Sequence, residues 1–182
     1  MRKTDSRIRY TQNVLKQALL SFLKEKPINK ITVKEVCERA ELNRATFYAH
    51  YSDCFALLES IEEDLLEAFQ QSLKLVDSFD VTALIEAIYT MIEQQQEACR
   101  VLIFQNVCPN VLRRMISLAR GKSIAYWKQH LHHITDAELE MLYTHLSNGL
   151  MHVVVEGYEK YSREEVVRFV NRIVRCSLSQ FQ

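Results

Sequence analysis

Glycine and proline are scarce in this chain, which has three and two of them in 182 residues. Strands need frequent turns, and turns rely on these two residue types, so their scarcity favours long helices joined by short links. The length allows a sizeable core in one domain or in two. We therefore predict an all-α fold of about nine helices.

Capping boxes place the starts of three of these helices. In each box a hydroxyl residue and a glutamate three positions later satisfy the orphan amides at the helix start. The three boxes are Thr32-Val33-Lys34-Glu35, Thr135-Asp136-Ala137-Glu138 and Ser162-Arg163-Glu164-Glu165. The first box predicts a second helix that begins at Val33, and the other two predict the last two helices of the chain.

Apolar spacing and helix breakers place the remaining helices. The pattern predicts a first helix that is capped by Asp5 or Ser6 and ends before Pro27. It predicts a fourth, long helix that is capped by Ser52 or Asp53. Further periodic segments cover residues 81–97, 101–104 and 111–133.

The second and third helices meet across the short turn Glu41-Leu42-Asn43, in which Asn43 is a strong N-cap for a helix from Arg44 to about Tyr51. Apolar residues of the pair, among them Phe47 and Tyr51, suffice to pack it against the first helix. The other side of the third helix combines small residues with hydrogen-bond donors: Arg44, Ala45, Tyr48, Ala49 and His50. In a helix-turn-helix the second helix of the pair enters the major groove of DNA, so Arg44 is the predicted base reader.

Charge is divided unevenly along the chain. Residues 1–53 carry 11 Lys and Arg against 6 Asp and Glu, whereas the remainder carries 12 against 17. A basic end on an otherwise acidic protein is what a nucleic-acid contact needs, with ordinary surface variation as the alternative. We predict a helix-turn-helix DNA-binding domain over residues 1–53 and a larger helical domain over residues 54–182.

Residues from about 7 to 58 resemble the DNA-binding domain of the tetracycline-repressor (TetR) family of regulators. The stretch ITVKEVCERAELNRATFYAHYSDCFALL has that family's Ile-Thr entry, its short turn, its Thr-Phe-Tyr-x-His-Tyr segment and its polar step into a long helix. Two positions depart from the pattern. Glu41 stands where the family often has a turn glycine, at a cost of about 1 kcal/mol if φ is positive. Cys54 stands where a phosphate-binding lysine is common.

The resemblance implies a role for each exposed residue of the motif. It implies that Thr32 and Tyr48 bind phosphates, and that Lys34 and His50 lie at the groove wall. Three residues are implied to face base edges: Arg44, Ala45 and Thr46. A basic tail of Arg2, Lys3, Arg7 and Arg9 is placed to reach a flanking groove or the backbone. The alternatives are that Thr32 serves only as a cap and that Tyr48 and His50 are solvated surface residues.

The last two helices carry apolar stripes that are broader than one neighbouring helix needs. A homodimeric four-helix bundle would bury them, and the resemblance implies dimerisation through this region. The interface residues that we predict are Tyr143, Leu146, Leu150, Val153, Val170, Ile173 and Val174. The alternative is that the stripes pack wholly within one chain.

The middle helices are the predicted place of an effector pocket. Its apolar and aromatic candidates are Tyr89, Phe104, Met115, Trp127 and Met141, each of which is also a candidate for ordinary core. The sequence has no Gly-rich phosphate loop, no Glu-x-x-His pair, no nucleophile motif and no His or Cys pair four residues apart. We therefore expect no enzyme activity, no cofactor and no metal ion.

Five scattered cysteines without a CxxC pair, a polar N-terminus and the lack of a long apolar run predict a soluble cytoplasmic protein. The leading interpretation is a dimeric repressor that binds a pseudo-palindromic DNA operator and responds to a small-molecule effector. The alternative is an activator or adaptor whose C-terminal domain binds a protein partner.

Overall fold

The computed structural model of the chain describes residues 3–75 and 78–181, with the side chains of residues 3–5 and of Leu75 outside the description. Within these residues the chain forms nine α-helices and no strand. They are α1 Lys3–Leu23, α2 Val33–Arg39, α3 Arg44–Tyr48, α4 Cys54–Ser72, α5 Thr82–Gln94, α6 Gln96–Ala98, α7 Pro109–His130, α8 Asp136–Gly157 and α9 Arg163–Leu178. A π-helix, Cys99–Phe104, follows α6 directly. The predicted all-α class is confirmed.

Each predicted capping box is formed, so the starts of α2, α8 and α9 are as the sequence predicts. The predicted cap of α4 is Asp53, whose carboxylate Oδ1 accepts the amide of Ala56 at 2.8 Å. Pro109 is the first residue of α7, where its missing N–H costs nothing because that amide has no partner in a helix start.

Several predicted helix bounds are wrong. The segment 81–97 divides into α5 and α6, and the segment 111–133 is α7, Pro109–His130. The first helix already includes Lys3, so it begins before the predicted caps Asp5 and Ser6. The third helix ends at Tyr48 rather than near Tyr51, because the amide of His50 turns back to the carbonyl of Phe47, three residues earlier, at 2.9 Å.

The chain divides into two compact units. The first consists of residues 1–65 and 97–108, and the second of residues 66–96 and 109–182. The first unit has its own core, which includes Leu15, Leu19, Val36, Phe47 and Leu57, all fully buried. The second has a separate core, which includes Phe69, Ile92, Met115, Leu139 and Leu178. The functional division after residue 53 stays a prediction.

None of the helices in the described part of the chain combines the length and the apolar character that crossing a membrane requires.

Candidate DNA-binding surface

The turn between α2 and α3 is set by backbone hydrogen bonds at the end of α2. The amide of Leu42 donates to the carbonyl of Cys37 at 2.9 Å, and the amide of Glu41 donates to that of Glu38 at 3.3 Å. This pair of bonds is the Schellman motif, whose residue just past the helix adopts a left-handed conformation and is usually glycine. Here that residue is Glu41, with φ of 54°. Because φ of Glu41 is positive, the backbone strain predicted for this residue applies.

Asn43 then starts α3, as predicted. Its side-chain oxygen accepts the Thr46 amide at 2.7 Å and the Thr46 hydroxyl at 3.0 Å. Hydrogen bonds fix the conformations of Glu41 and Asn43, which lie on either side of Leu42. The turn therefore sets the direction of α3 relative to α2.

Aromatic packing holds α3 from below. Phe47 is fully buried, and its ring centroid lies 6.0 Å from that of Tyr51, which is 8% exposed. The Tyr51 hydroxyl is buried without a hydrogen-bond partner. Both residues belong to the core, as the sequence predicts.

The opposite face of α3 is open. Arg44, Ala45 and Ala49 are exposed, and Tyr48 is 57% exposed although its ring packs edge-on against Phe47 at 5.6 Å. Arg44 forms no ion pair or hydrogen bond with any described side chain. A long cation that is free to move beside two methyl groups can reach a base edge without a steric barrier.

Two predicted contacts, one on α3 and one just after it, are partly shielded. Thr46 and His50 are half-buried, and the Thr46 hydroxyl is committed to Asn43. Thr46 thus presents its methyl group more readily than its hydroxyl, which suits contact with a thymine methyl.

The start of α2 supplies the other predicted contacts. Thr32 is exposed, and its hydroxyl donates to Glu35 Oε2 at 2.8 Å, so binding a phosphate requires this hydroxyl to rotate away from Glu35. The Glu35 carboxylate also accepts Lys26 Nζ at 2.6 Å, and the bonds from Lys26 and Thr32 lower its pKa from 4.5 to about 2. Lys34 is exposed and lies 3.7 Å from Glu38.

Several basic groups of the first unit are already used within it. Lys16 pairs with Asp64 at 2.5 Å, and Lys24 pairs with Glu97. The Arg39 guanidinium stacks 4.5 Å from the centroid of the Phe22 ring and donates to Ser21 Oγ at 3.0 Å. The net positive charge of this end therefore overstates the number of cations that are free to meet phosphates.

Of the predicted basic tail, Arg2 and the side chain of Lys3 lie outside the description, whereas Arg7 and Arg9 are exposed on α1. Cys54, which stands at the family's lysine position, is 4% exposed, and burial raises the pKa of its thiol to about 11. It offers DNA no charge.

The second unit contains a cavity of about 130 Å³. Of the five predicted effector-pocket residues only Trp127 lines it. Tyr89 is buried elsewhere, where its ring meets that of Tyr158 at 5.2 Å, and Met115 is packed core. Phe104 belongs to the first unit, and Met141 is 64% exposed. Tyr89, Phe104, Met115 and Met141 thus line no part of this cavity. Tyr89 and Met115 are packed in the core of the second unit, where side chains fill space rather than line a void.

The predicted interface residues of α8 and α9 divide into a buried set and a half-buried set. Four of its seven residues are at most 5% exposed inside the chain, so a partner cannot reach them: Tyr143, Leu146, Val170 and Val174. These four residues pack within the second unit, which agrees with the alternative that the stripes pack within one chain. Leu150, Val153 and Ile173 are half-buried and stay candidates for an interface.

Two polar residues of the cavity wall were not predicted from the sequence. Ser147 and Ser123, placed in apolar helix stripes, both line the cavity. A small polar residue inside an otherwise apolar stripe was the available signal. The described histidines, cysteines and acids form no group of three that could hold a metal ion.

No family model matches the chain. It is 39% identical to the uncharacterized HTH-type transcriptional regulator YxbF of Bacillus subtilis strain 168 over 59 residues, which are 32% of this chain and 16% of that protein. The match thus spans about a sixth of the relative's length.

Solved structures match nearly the whole chain. A TetR transcriptional regulator from Streptococcus agalactiae 2603V has a TM-score of 0.67 and 24% identity, over 94% of this chain and 97% of that one. The dihydroxyacetone kinase operon activator DhaS has a TM-score of 0.58 and 14% identity, over 94% and 98% of the two chains. The chain therefore has the fold of the TetR-family regulators.

Proposed function

We propose that this chain is a TetR-family transcription regulator that binds DNA sequence-specifically through α3. The observation that carries the proposal is the construction of α3, in which an open face with an unpaired arginine stands on a fully buried aromatic support. The fold and the short match to a helix-turn-helix regulator support it.

In this proposal Arg44 reads a base edge, since a guanidinium can clamp guanine O6 and N7, while Ala45 and Thr46 meet thymine methyl groups. Tyr48 donates its hydroxyl to a phosphate, and Thr32 does so after its hydroxyl leaves Glu35. Lys34 and His50 line the groove wall. Phosphate contacts of this kind position the protein, whereas the base contacts specify the site.

We further propose that the regulator is a homodimer on a pseudo-palindromic operator. The outer faces of α8 and α9 support this, because Val153 and Ile173 are only half-buried and Phe169, one turn from Ile173, is 40% exposed. A twofold pairing of these faces would cover them and would present two copies of α3 to successive turns of DNA.

We propose a repressor that a small molecule releases from DNA. Both α5 and α7 contribute to the cavity wall, and the chain between them, residues 97–108, belongs to the first unit. A ligand that displaces either helix would therefore also displace residues 97–108, because the backbone connects them directly to α5 and α7. Regulation of this kind needs only a difference in ligand affinity between two conformations. It requires neither catalysis nor a cofactor, and it places the protein in the cytoplasm with its DNA.

An activator or adaptor that binds a protein partner is the second candidate. The observation in its favour is that an operon activator, DhaS, shares this fold along nearly the whole chain. A stable protein partner that changes the DNA affinity of the purified chain would favour it over a metabolite-responsive repressor.

The test is to retain fragments of the source genome on the purified chain at low salt and to sequence them. We expect enrichment of a motif with twofold symmetry and half-sites about one DNA turn apart. Arg44→Ala should relax the preference for one base pair in each half-site, whereas Tyr48→Phe should weaken binding to all sequences alike. Arg113→Ala, an exposed change in the second unit, is the control. Retention without any enriched motif, or no retention, would refute the proposal.

A further inference from the structure

The cavity of the second unit has walls from five helices. They are provided by the end of α4, by α5, α7, α8 and α9, with Phe69, Ile85, Trp127, Leu150 and Val174 among the lining residues. Among the residues that the structure describes, the lining contains no Asp, Glu, Lys, Arg or His. The walls are therefore aliphatic and aromatic, with a few hydroxyl groups.

Several charged groups near the cavity are already bonded outside it. The Arg120 guanidinium forms a two-pronged ion pair with Glu140, and Lys122 Nζ donates to the carbonyl of Leu73 at 2.6 Å. Asp80 is bound by Thr82 and by Arg175, and its pKa lies below the usual value because of those hydrogen bonds. None of these charged groups is therefore available to an ion inside the cavity.

Among the described residues of the wall, one buried polar atom lacks a hydrogen-bond partner. The Tyr143 hydroxyl donates to the carbonyl of Ile116 at 2.5 Å, and burial raises the pKa of this phenol to about 12. Ser147, one helical turn further along α8, has a buried hydroxyl oxygen near this phenol, but the two groups do not form a hydrogen bond of ordinary geometry. Buried hydroxyls are nearly always paired, so this one is the natural partner of a ligand group.

We propose that the cavity binds a compact, uncharged, apolar ligand that carries one hydrogen-bonding group for Ser147. A cavity of about 150 Å³ lined by Leu, Ile and Phe binds benzene, so 130 Å³ suits a single ring or a branched aliphatic group of similar size. Carboxylates, phosphates and ammonium ions are disfavoured because the described lining offers a buried ion no charged partner. The regulatory meaning of this ligand rests on the proposed function, whereas its binding does not.

The chain carries its own reporter for this site. Trp127 is the one tryptophan in the sequence, it lines the cavity, and its ring lies 5.9 Å from that of Tyr143. A change of tryptophan fluorescence on titration thus reports the cavity alone. The probes are toluene, phenol and benzoate, which share a ring and differ in having no polar group, one hydroxyl and one charge.

Toluene and phenol should give saturable fluorescence changes, and benzoate should bind about 100-fold more weakly or worse. Ser147→Ala should weaken phenol about 5- to 10-fold and leave toluene within about twofold, because only phenol loses a hydrogen bond. Ser117→Ala, an exposed change on α7, is the matched control. Ala119→Phe should fill the cavity and abolish binding of both probes, whereas Ala125→Phe on the exposed side of the same helix should not.

Three results would overturn the inference: no saturable binding of either neutral probe, benzoate binding as tightly as phenol, or unchanged binding in a folded Ala119→Phe variant. DNA retention is measured in the same samples. Neutral probes that bind without altering retention support the site and refute its coupling to DNA. Loss of retention on adding toluene or phenol, absent in Ala119→Phe, supports both.

Discussion

Replacing Glu41 by glycine should stabilise the protein. Glu41 is exposed and has φ of 54° in the Schellman motif that ends α2. A left-handed conformation costs an L-residue roughly 1 to 2 kcal/mol. Glycine removes that cost but adds about 0.4 to 1 kcal/mol of unfolded-chain entropy. The net expectation for Glu41→Gly is a gain of about 1 kcal/mol in the free energy of unfolding.

Thermal unfolding measured by circular dichroism gives the assay. A gain of 1 kcal/mol raises Tm by about 2 to 4 °C if the chain unfolds as one unit of this size, and by more if the smaller DNA-binding unit unfolds separately. Glu41→Ala is the control, because it removes the same carboxylate and keeps the left-handed backbone. It should leave Tm within about 1 °C, since exposed substitutions without a special role change stability little.

The two variants separate backbone strain from charge. Both remove an anion near the proposed DNA surface, so both should raise DNA affinity to the same extent at low salt. Only the glycine variant should gain stability. Equal melting temperatures for Glu41→Gly and Glu41→Ala would refute the strain argument, and a gain in both would assign the effect to the carboxylate.

Three further changes follow from the same structure. The pKa of Glu35 is lowered to about 2, so its contribution to the free energy of unfolding is present above about pH 4.5 and is lost as pH falls toward 2. Glu35→Gln should flatten the pH dependence of the free energy of unfolding, measured in urea, over that range, and Glu38→Gln should not. Tyr51→Phe removes an unpaired buried hydroxyl and should raise the urea midpoint or leave it unchanged; a loss above about 1 kcal/mol would show that the hydroxyl has a partner. Gly149→Arg should dissociate the proposed dimer in ultracentrifugation, whereas Gly121→Arg, at an equally open helical site on α7, should not; a dimer unaffected by both places the interface elsewhere.

Local motifs were predictable because their causes are local. The three capping boxes and the Asn43 cap depend on residues within one helical turn, and each appears where the sequence places it. The end of α3 was misplaced because Phe47 to Tyr51 keeps helical apolar spacing while the backbone tightens after Tyr48. Spacing records which side chains are buried but not which hydrogen bonds close the last turn.

Long-range features were predicted less well. The stripe on α8 is apolar whether it faces the chain's own cavity or a partner, so the sequence did not separate Tyr143 and Leu146, which are buried, from Val153, which is not. The position of a cavity depends on how five helices fail to fill the space between them, and no short pattern encodes that. The commitment of Lys16 and Lys24 to acids distant in sequence was hidden for the same reason.

The most direct test of the account is the specificity ratio of the wild type and of two variants. The measurement is the affinity for the enriched genomic site and for a scrambled site of equal composition, at fixed salt. The ratio corresponds to the difference in binding free energy between the two sites. We predict that Arg44→Ala reduces this difference by about 1 to 3 kcal/mol, whereas Tyr48→Phe lowers both affinities and leaves the ratio unchanged. Equal affinities of the wild type for the two sites, or an unchanged ratio in a folded Arg44→Ala variant, would contradict sequence reading by α3.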